Sequence, residues 1–320
     1  MYKSILKFKK EKSRLENQAQ NIDNGNDAEI FAASQIVLAI GAEVSWGSRN
    51  EDGRKIDIIC SYEHPWVNKE RLIFFVQVKS GASYGILIDD GIKLYTGVID
   101  AVKKTTHAIC VIWIDRANDD SYWAYIHPRT ESRSQKYGKN HLILPTMRFD
   151  IARCQAQFLP VKEGGAGIIL NEKDTDLKIV RSKALNKYRD YQTSGLYCPN
   201  LGQIEVTRIG WRHMFRKTRS SKNKFKSLVA IKFLDKIISD LPSATYISRC
   251  EFYEKSKYDY RNCEYVLVYT KVKEQGDRLK QTKYVVRVIE EIRWPKDWRK
   301  NSTLTQFVER RLVLLSCYYK

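Results

Sequence analysis

Apolar residues recur along this chain in two periods, and the period changes with position. From Asp27 to Ile40 the sequence DAEIFAASQIVLAI carries Ile30, Ala33, Val37 and Ile40 at helical spacing, which predicts a helix with one apolar stripe. Asn26 or Asp27 offers an N-cap and Gly41 a stop. Four short runs rich in β-branched and aromatic residues then predict strands: Lys55–Cys60 (KIDIIC), Arg71–Lys79 (RLIFFVQVK), Ala108–Asp115 (AICVIWID) and Tyr122–Ile126 (YWAYI). Ile99–Lys104 reads as a helix or turn between the second and third of these. The first half is therefore expected to be mixed α/β, a sheet flanked by helices.

The second half has another grammar. Arg181–Tyr191, Gly210–Lys217 and Ser227–Leu241 predict helices, the last with Leu228, Ile231, Leu234 and Ile238 on one face. Gln203–Thr207 predicts a short strand. After Pro242 the pattern predicts strands over 245–253, 265–272, 283–292 and 311–319. Helices followed by successive strands suggest an α+β domain with an antiparallel sheet. Between the halves, Pro160 to Asp176 reads PVKEGGAGIILNEKDTD, with three glycines and no period, which predicts a linker. The expected domains are 1–165 and 178–320.

Composition narrows the class. At 320 residues the chain suits two domains, and 43% apolar with 29% charged residues supports packed cores rather than disorder. No run of about 18 apolar residues exists to cross a membrane. Met1–Lys12 is basic without an apolar stretch, so no secretory signal is expected. Seven cysteines without a C-x-x-C pair argue against a disulfide framework or zinc ribbon and for a reducing cytoplasm. The net charge is +19, unevenly spread: residues 1–180 hold 25 basic and 23 acidic residues, residues 181–320 hold 31 and 14. A lobe this basic suits a nucleic-acid partner, DNA or RNA, because neutralised phosphates release counterions. A solvated basic surface, attraction to anionic lipid, or docking of an acidic protein would use the same charge.

Four residues of the first half carry candidate chemistry. In RLIFFVQVK side chains alternate, so Gln77 and Lys79 share a face at the end of an apolar strand. Asp57 stands among Ile56, Ile58 and Ile59, where an unmatched carboxylate is costly. It pairs either with a metal or with Arg54 or Lys55. Glu29 lies beside the apolar stripe of the first helix. Asp57 and Glu29 as carboxylates and Gln77 through its amide oxygen make a hard-oxygen set suited to Mg²⁺ or Mn²⁺. Lys79 would polarise water and stabilise charge on a phosphoryl group.

Glu29 in a helix, then Asp57, then Gln77-Val78-Lys79 resembles the PD-(D/E)xK nuclease superfamily. The nearest likeness within it is to a domain of unknown function found in prokaryotic defence proteins. GSRNEDGRKIDIIC, FFVQVKSG, AICVIWID and SYWAYI carry that likeness over roughly residues 20–150. The resemblance implies a restriction-endonuclease-like mixed sheet and Mg²⁺-dependent endonuclease activity, DNA favoured, in prokaryotic defence or phage conflict. It implies Glu29, Asp57, Gln77 and Lys79 as active-site residues, with Asp57, Gln77 and Glu29 on the metal. It also admits a homodimer, since many such nucleases pair to cut both strands. Two departures stand out. Ile56 replaces the proline before Asp57, and Gln77 replaces the acidic residue, a variant also seen in Mrr-like restriction nucleases. A nuclease fold retained only for binding nucleic acid is the alternative.

The basic half holds a second set. QIEVTRIGWRHMFRKTRSSKNKFK (203–226) places His213 among Arg208, Arg212, Arg216, Lys217 and Arg219, with Lys222 and Lys224 following. Helical spacing puts His213, Arg216, Lys217 and Ser220 on neighbouring turns of one helix. A histidine near neutrality among cations could serve as general base or acid for a ribose 2′-OH, or could simply sit in a nucleic-acid-binding helix. The strand, the W-x-H-x-x-R helix and the later strands are similar to the barnase–EndoU–colicin–RelE-like RNases. That likeness implies a metal-independent RNase with late-strand residues Arg287, Ser316 and Tyr318 as partners. Trp211, Phe215, Phe225, Tyr258, Tyr260, Trp294 and Trp298 offer base-stacking or core packing. WPKDWRK (294–300) reads as an exposed, phosphate-facing loop.

Overall fold

The computed structural model describes residues 14–47, 56–157, 168–170, 176–274 and 281–320. The chain divides into two compact units, Met1–Tyr62 with Ile73–Ile143, and Glu63–Leu72 with Leu144–Lys320. The division after Ile143 precedes the glycine-bearing segment, most of which lies outside the described residues, as do Arg54 and Lys55. No helix among the described residues is long and apolar enough to cross a membrane.

The first unit is mixed α/β. Helix α1 (Arg14–Ile40) is followed by strands β1 (Glu43–Trp46), β2 (Ile58–Glu63) and β3 (Arg71–Ser80). Two short strands, β4 (Gly85–Ile88) and β5 (Gly91–Leu94), lead into helix α2 (Thr96–Lys103), then β6 (Ile109–Asp115), β7 (Asp120–Ile126) and β8 (Gln135–Gly138). The main sheet runs β1-β2-β3-β6-β7, and β4-β5-β8 form a second sheet. β3 and β6 are parallel, with Gln77 opposite Val111 and Lys79 opposite Trp113. A parallel pair needs a crossover, and α2 supplies it. Val98, Ile99 and Val102 of α2 pack with Ile109, Val111, Trp113 and Phe75. Every residue of β6 is buried, as expected of a strand covered on both faces.

Helix α1 corrects the sequence reading twice. It already runs from Arg14, so Asn26 and Asp27 lie inside it and do not cap its start. Its buried face is Ala28, Ala32, Ala33, Ile36, Ala39 and Ile40, while Ile30 is 59% exposed. Ala33 and Ile40 of the expected stripe lie on this face and Val37 is half-buried, but Ile30 is turned away and alanines fill its place. Gly41 does end the helix, at φ 67°, with its N–H donating to the Val37 carbonyl at 3.0 Å.

The second unit opens with helix α3 (Met147–Gln157), strand β9 (Ile168–Leu170) and helix α4 (Leu177–Ser194). Strands β10 (Leu196–Cys198) and β11 (Gly202–Ile204) precede helices α5 (Arg208–Met214), α6 (Ser221–Lys232) and α7 (Leu234–Ile238). Four long strands close the chain: β12 (Ala244–Lys255), β13 (Tyr258–Glu274), β14 (Gln281–Pro295) and β15 (Glu309–Tyr319). They pair antiparallel in the order β12-β13-β14-β15, and β9 joins β13 in parallel. The helices pack on one face around Leu228, Ile231, Leu234, Ile237, Leu312 and Leu314.

Four expectations fail here. The helix expected over 210–217 ends at Met214, and that over 227–241 is broken at Phe233. WPKDWRK is not an open loop: Trp294 and Pro295 belong to β14, Trp294 and Trp298 are buried, and Lys296 and Lys300 pair with Glu254 and Asp297. Finally, Cys250 and Cys263, directly opposite on β12 and β13, form a disulfide, where the cysteine spacing suggested none.

Helix α3 is held by charge. Asp150 and Arg153 on α3 meet Arg261 on β13, Glu290 on β14 and Arg310 on β15. The Glu290 carboxylate accepts from Arg153 at 2.8 Å, from Arg310 at 2.7 Å and from the Tyr265 hydroxyl at 3.1 Å, while Arg261 donates to Asp150 at 2.6 and 2.9 Å. Burial alone would raise the Glu290 carboxyl, but Arg153, Arg310 and Arg261 overcome it and hold it far below the usual carboxylate range.

Candidate functional sites

The first site forms where β2 meets β3. Asp57 extends β2 by one residue: its N–H donates to the Val76 carbonyl and its own carbonyl accepts from Gly47, both at 2.9 Å. Gly47 permits this approach, because a Cβ there would lie 2.5 Å from the Ile56 carbonyl oxygen. The Asp57 carboxylate takes the next sheet donor, the Val78 N–H, at 2.6 Å to Oδ2. It is thereby fixed to the β3 backbone between Gln77 and Lys79.

Gln77 and Lys79 share the β3 face that also carries Phe75. Gln77 is 3% exposed, and its Oε1 has no hydrogen-bond partner among the described residues. Lys79 is half-buried at the strand end, its Nζ 5.3 Å from the Tyr84 ring centre. A cleft of about 390 Å³ opens one turn further on, lined by Gly81, Ile86, Leu87, Trp113, Asp115 and Arg116. It lies at the carboxyl ends of the parallel strands, where open α/β sheets bind ligands. Trp113, opposite Lys79, lines it, but none of the four candidate residues does. The Trp113 indole N–H donates to the Gly81 carbonyl at 3.2 Å and holds the rim.

The structure thus brings Asp57, Gln77 and Lys79 together on adjacent strands. Glu29 is half-buried on α1, which packs on β1 and β6. Among the described residues no three His, Cys, Asp or Glu side chains gather as a metal-holding group. The donor set on β2 and β3 is one anchored carboxylate and one buried amide oxygen lacking a partner. That fits Mg²⁺, which keeps several waters and takes few protein ligands.

The second site lies in the basic unit. A cleft of about 540 Å³ is lined by His213 and Arg216, Arg219 and Asn223, and by Arg287, Ser316 and Tyr318. Two local features assemble it. First, α5 stops at Met214 and the chain turns over 215–220, where the Arg219 N–H donates to the Arg216 carbonyl at 3.1 Å and Ser220 caps α6. His213 and Arg216 therefore reach the cleft from a helix end and a turn, not from successive turns of one helix.

Second, β15 carries a bulge. Arg287 pairs with Ser316 but Val288 with Leu314, which leaves Leu315 as the extra residue. Leu312 and Leu314 face the helices before the bulge, and Cys317 faces them after it. Ser316 and Tyr318 are thereby turned to the opposite face, beside Arg287. A strand without the bulge would bury Ser316 against the helices.

The electrostatics are cationic. Arg287 is paired with Glu264, its Nε donating at 2.5 Å. Arg219 donates to the Met214 carbonyl at 3.2 Å and lies 5.8 Å from the Tyr318 ring centre. Neither Arg216 nor Arg219 meets a carboxylate among the described residues. Burial lowers the pKa of His213, and Arg216, Arg287 and Arg219 lower it further against the pull of Glu264, so the ring is neutral at pH 7.

Arg208, Arg212, Lys217 and Lys222 are exposed, whereas Arg219 and Lys224 are half-buried. Trp211, Phe215 and Phe225 pack against the core rather than standing free to stack. Sequence reasoning missed Thr218, Asn223 and Glu264. The first two lie inside the basic run, and Glu264 breaks the apolar stretch of β13, which is the signal that could have found it. Comparison with protein families, curated proteins and solved structures finds no match to the chain.

Proposed function

We propose that the first unit is a metal-dependent endonuclease that hydrolyses phosphodiester bonds of nucleic acid, DNA before RNA. One observation carries the reading: the Asp57 carboxylate is anchored on the amide of Val78, the residue between Lys79 and Gln77, whose buried Oε1 has no hydrogen-bond partner among the described residues. Asp57 and Gln77 would hold Mg²⁺ or Mn²⁺, with Glu29 as the third ligand implied by the resemblance to PD-(D/E)xK nucleases. The bound ion would lower the pKa of a water and polarise a phosphoryl oxygen. The chain's own groups do the rest. The Val78 N–H fixes one Asp57 oxygen, so no rotamer search precedes binding. The Lys79 ammonium donates hydrogen bonds to a non-bridging phosphate oxygen, where charge grows in the transition state. The basic second unit raises the local concentration of the polyanion.

Supercoiled DNA, linear DNA and structured RNA incubated with Mg²⁺, Mn²⁺ or EDTA test this. Cleavage is expected with metal and none in EDTA, and Lys79→Ala should lower the rate by about 10²–10³-fold, the scale of losing one transition-state donor. Cleavage that survives EDTA, or that Lys79→Ala leaves unchanged, would overturn the reading.

A further inference from the structure

The cleft of the second unit contains more positive charge than the protein itself balances. Three guanidinium groups, Arg216, Arg219 and Arg287, line it, and among the described residues only Arg287 meets a carboxylate, that of Glu264. Beside Arg287, its partner in the strand ladder, Ser316 is 1% exposed and lines the cleft. Asn223 stands at the same wall, in the first turn of the twelve-residue helix α6. Guanidinium forks, a hydroxyl, an amide and a neutral imidazole converging on one cavity form a donor set for a tetrahedral oxyanion.

We propose that this cleft binds a phosphate ester within a nucleic-acid strand, seated between Arg216, Arg219 and Arg287 with Ser316 donating from the floor. The extent of the charge favours a strand over a lone phosphate. Arg208, Arg212, Lys217 and Lys222 flank the cleft in sequence, are exposed, and meet no carboxylate among the described residues, so they can neutralise further phosphates along a chain. The volume of about 540 Å³ also exceeds what one phosphate needs. The inference uses no residue of the first unit and stands apart from the proposed nuclease activity.

The test is binding by the full chain in EDTA, which removes any metal-dependent binding. A short fluorescent single-stranded oligodeoxynucleotide is titrated by anisotropy, and the His213 imidazole resonance is followed with the same oligonucleotide and with inorganic phosphate. The His213 ring is faced by Arg216, Arg219, Arg287 and Glu264. The oligonucleotide is expected to shift the His213 resonance. Arg216→Gln and Arg219→Gln are each expected to weaken binding about tenfold, as loss of one charge-assisted contact should. Each should also reduce the slope of log affinity against log salt by about one. Arg216 is exposed and makes no ion pair, so its variant reports on binding even if Arg219→Gln disturbs the turn. Unchanged affinity in Arg216→Gln with an unmoved His213 resonance would overturn the proposal. Inorganic phosphate binding as tightly as the oligonucleotide would overturn its nucleic-acid part.

Discussion

Two arginine clusters of the second unit use one side chain in opposite ways. Arg153, Arg261 and Arg310 are buried, and each touches a carboxylate, Asp150 or Glu290. Arg216, Arg219 and Arg287 line an open cleft, where Glu264 meets only one of them. A buried charge left unmatched costs several kcal/mol, so the inner cluster has to be closed by partners from the protein. The outer cluster is wetted, and its unmatched charges remain available to a ligand. Partnership therefore separates scaffold from site more sharply than residue type does. Lack of a partner is not sufficient by itself: Gln35 Oε1 and the Ser227 hydroxyl are also buried without one among the described residues. Gln77 differs because the next residue, Val78, anchors a carboxylate through its amide and a lysine follows at the strand end.

The largest expected effect is the loss of cleavage in Lys79→Ala described above. Next is Glu290→Gln, which leaves three guanidinium groups without their shared anion. Removing one member of a buried ion pair costs about 3–5 kcal/mol, so the melting temperature should fall by roughly 10 °C. The pH dependence follows from the depressed Glu290 carboxyl. Its contribution to stability is fully present above the unfolded glutamate value of about 4.3 and is lost as pH falls through the lower folded value. Thermal melts of the wild type should weaken below about pH 4, and Glu290→Gln should flatten that acid limb. Equal acid sensitivity in both proteins would remove Glu290 from the scaffold role.

A smaller effect is expected at Gly210, where α5 crosses β15. A Cβ there would lie 2.4 Å from the Leu314 carbonyl oxygen and 2.8 Å from the Tyr188 hydroxyl. Gly210→Ala should cost about 1–3 kcal/mol in denaturant unfolding and displace the helix end that presents His213. An unchanged midpoint would show that α5 can move without cost.

What the sequence made legible, and what it hid, follows the same physics. β6 was readable because Ile109 to Ile114 are apolar without a break, as a strand covered on both faces must be. Leu228, Ile231, Leu234 and Ile238 were readable as a core face, although Phe233 divides their helix in two. Helix α3 escaped notice because Asp150 and Arg153 occupy its buried face, so charge hid a core element. The bulge at Leu315 was invisible because Leu312 to Leu315 are continuously apolar and give no alternation to break. The candidate residues were nameable one by one. The turn after Met214 and the bulge at Leu315 decide which of them share a cleft, and both are set by tertiary packing.

The most direct measurement is the cleavage rate and melting temperature of Gln77→Met, a change that keeps side-chain length and removes the unpartnered amide. If Gln77 belongs to a site, metal-dependent cleavage should fall at least about 100-fold while the melting temperature holds or rises, because an unsatisfied buried polar group has been replaced by an apolar one. A lower melting temperature with cleavage intact would make Gln77 part of the scaffold and contradict the account.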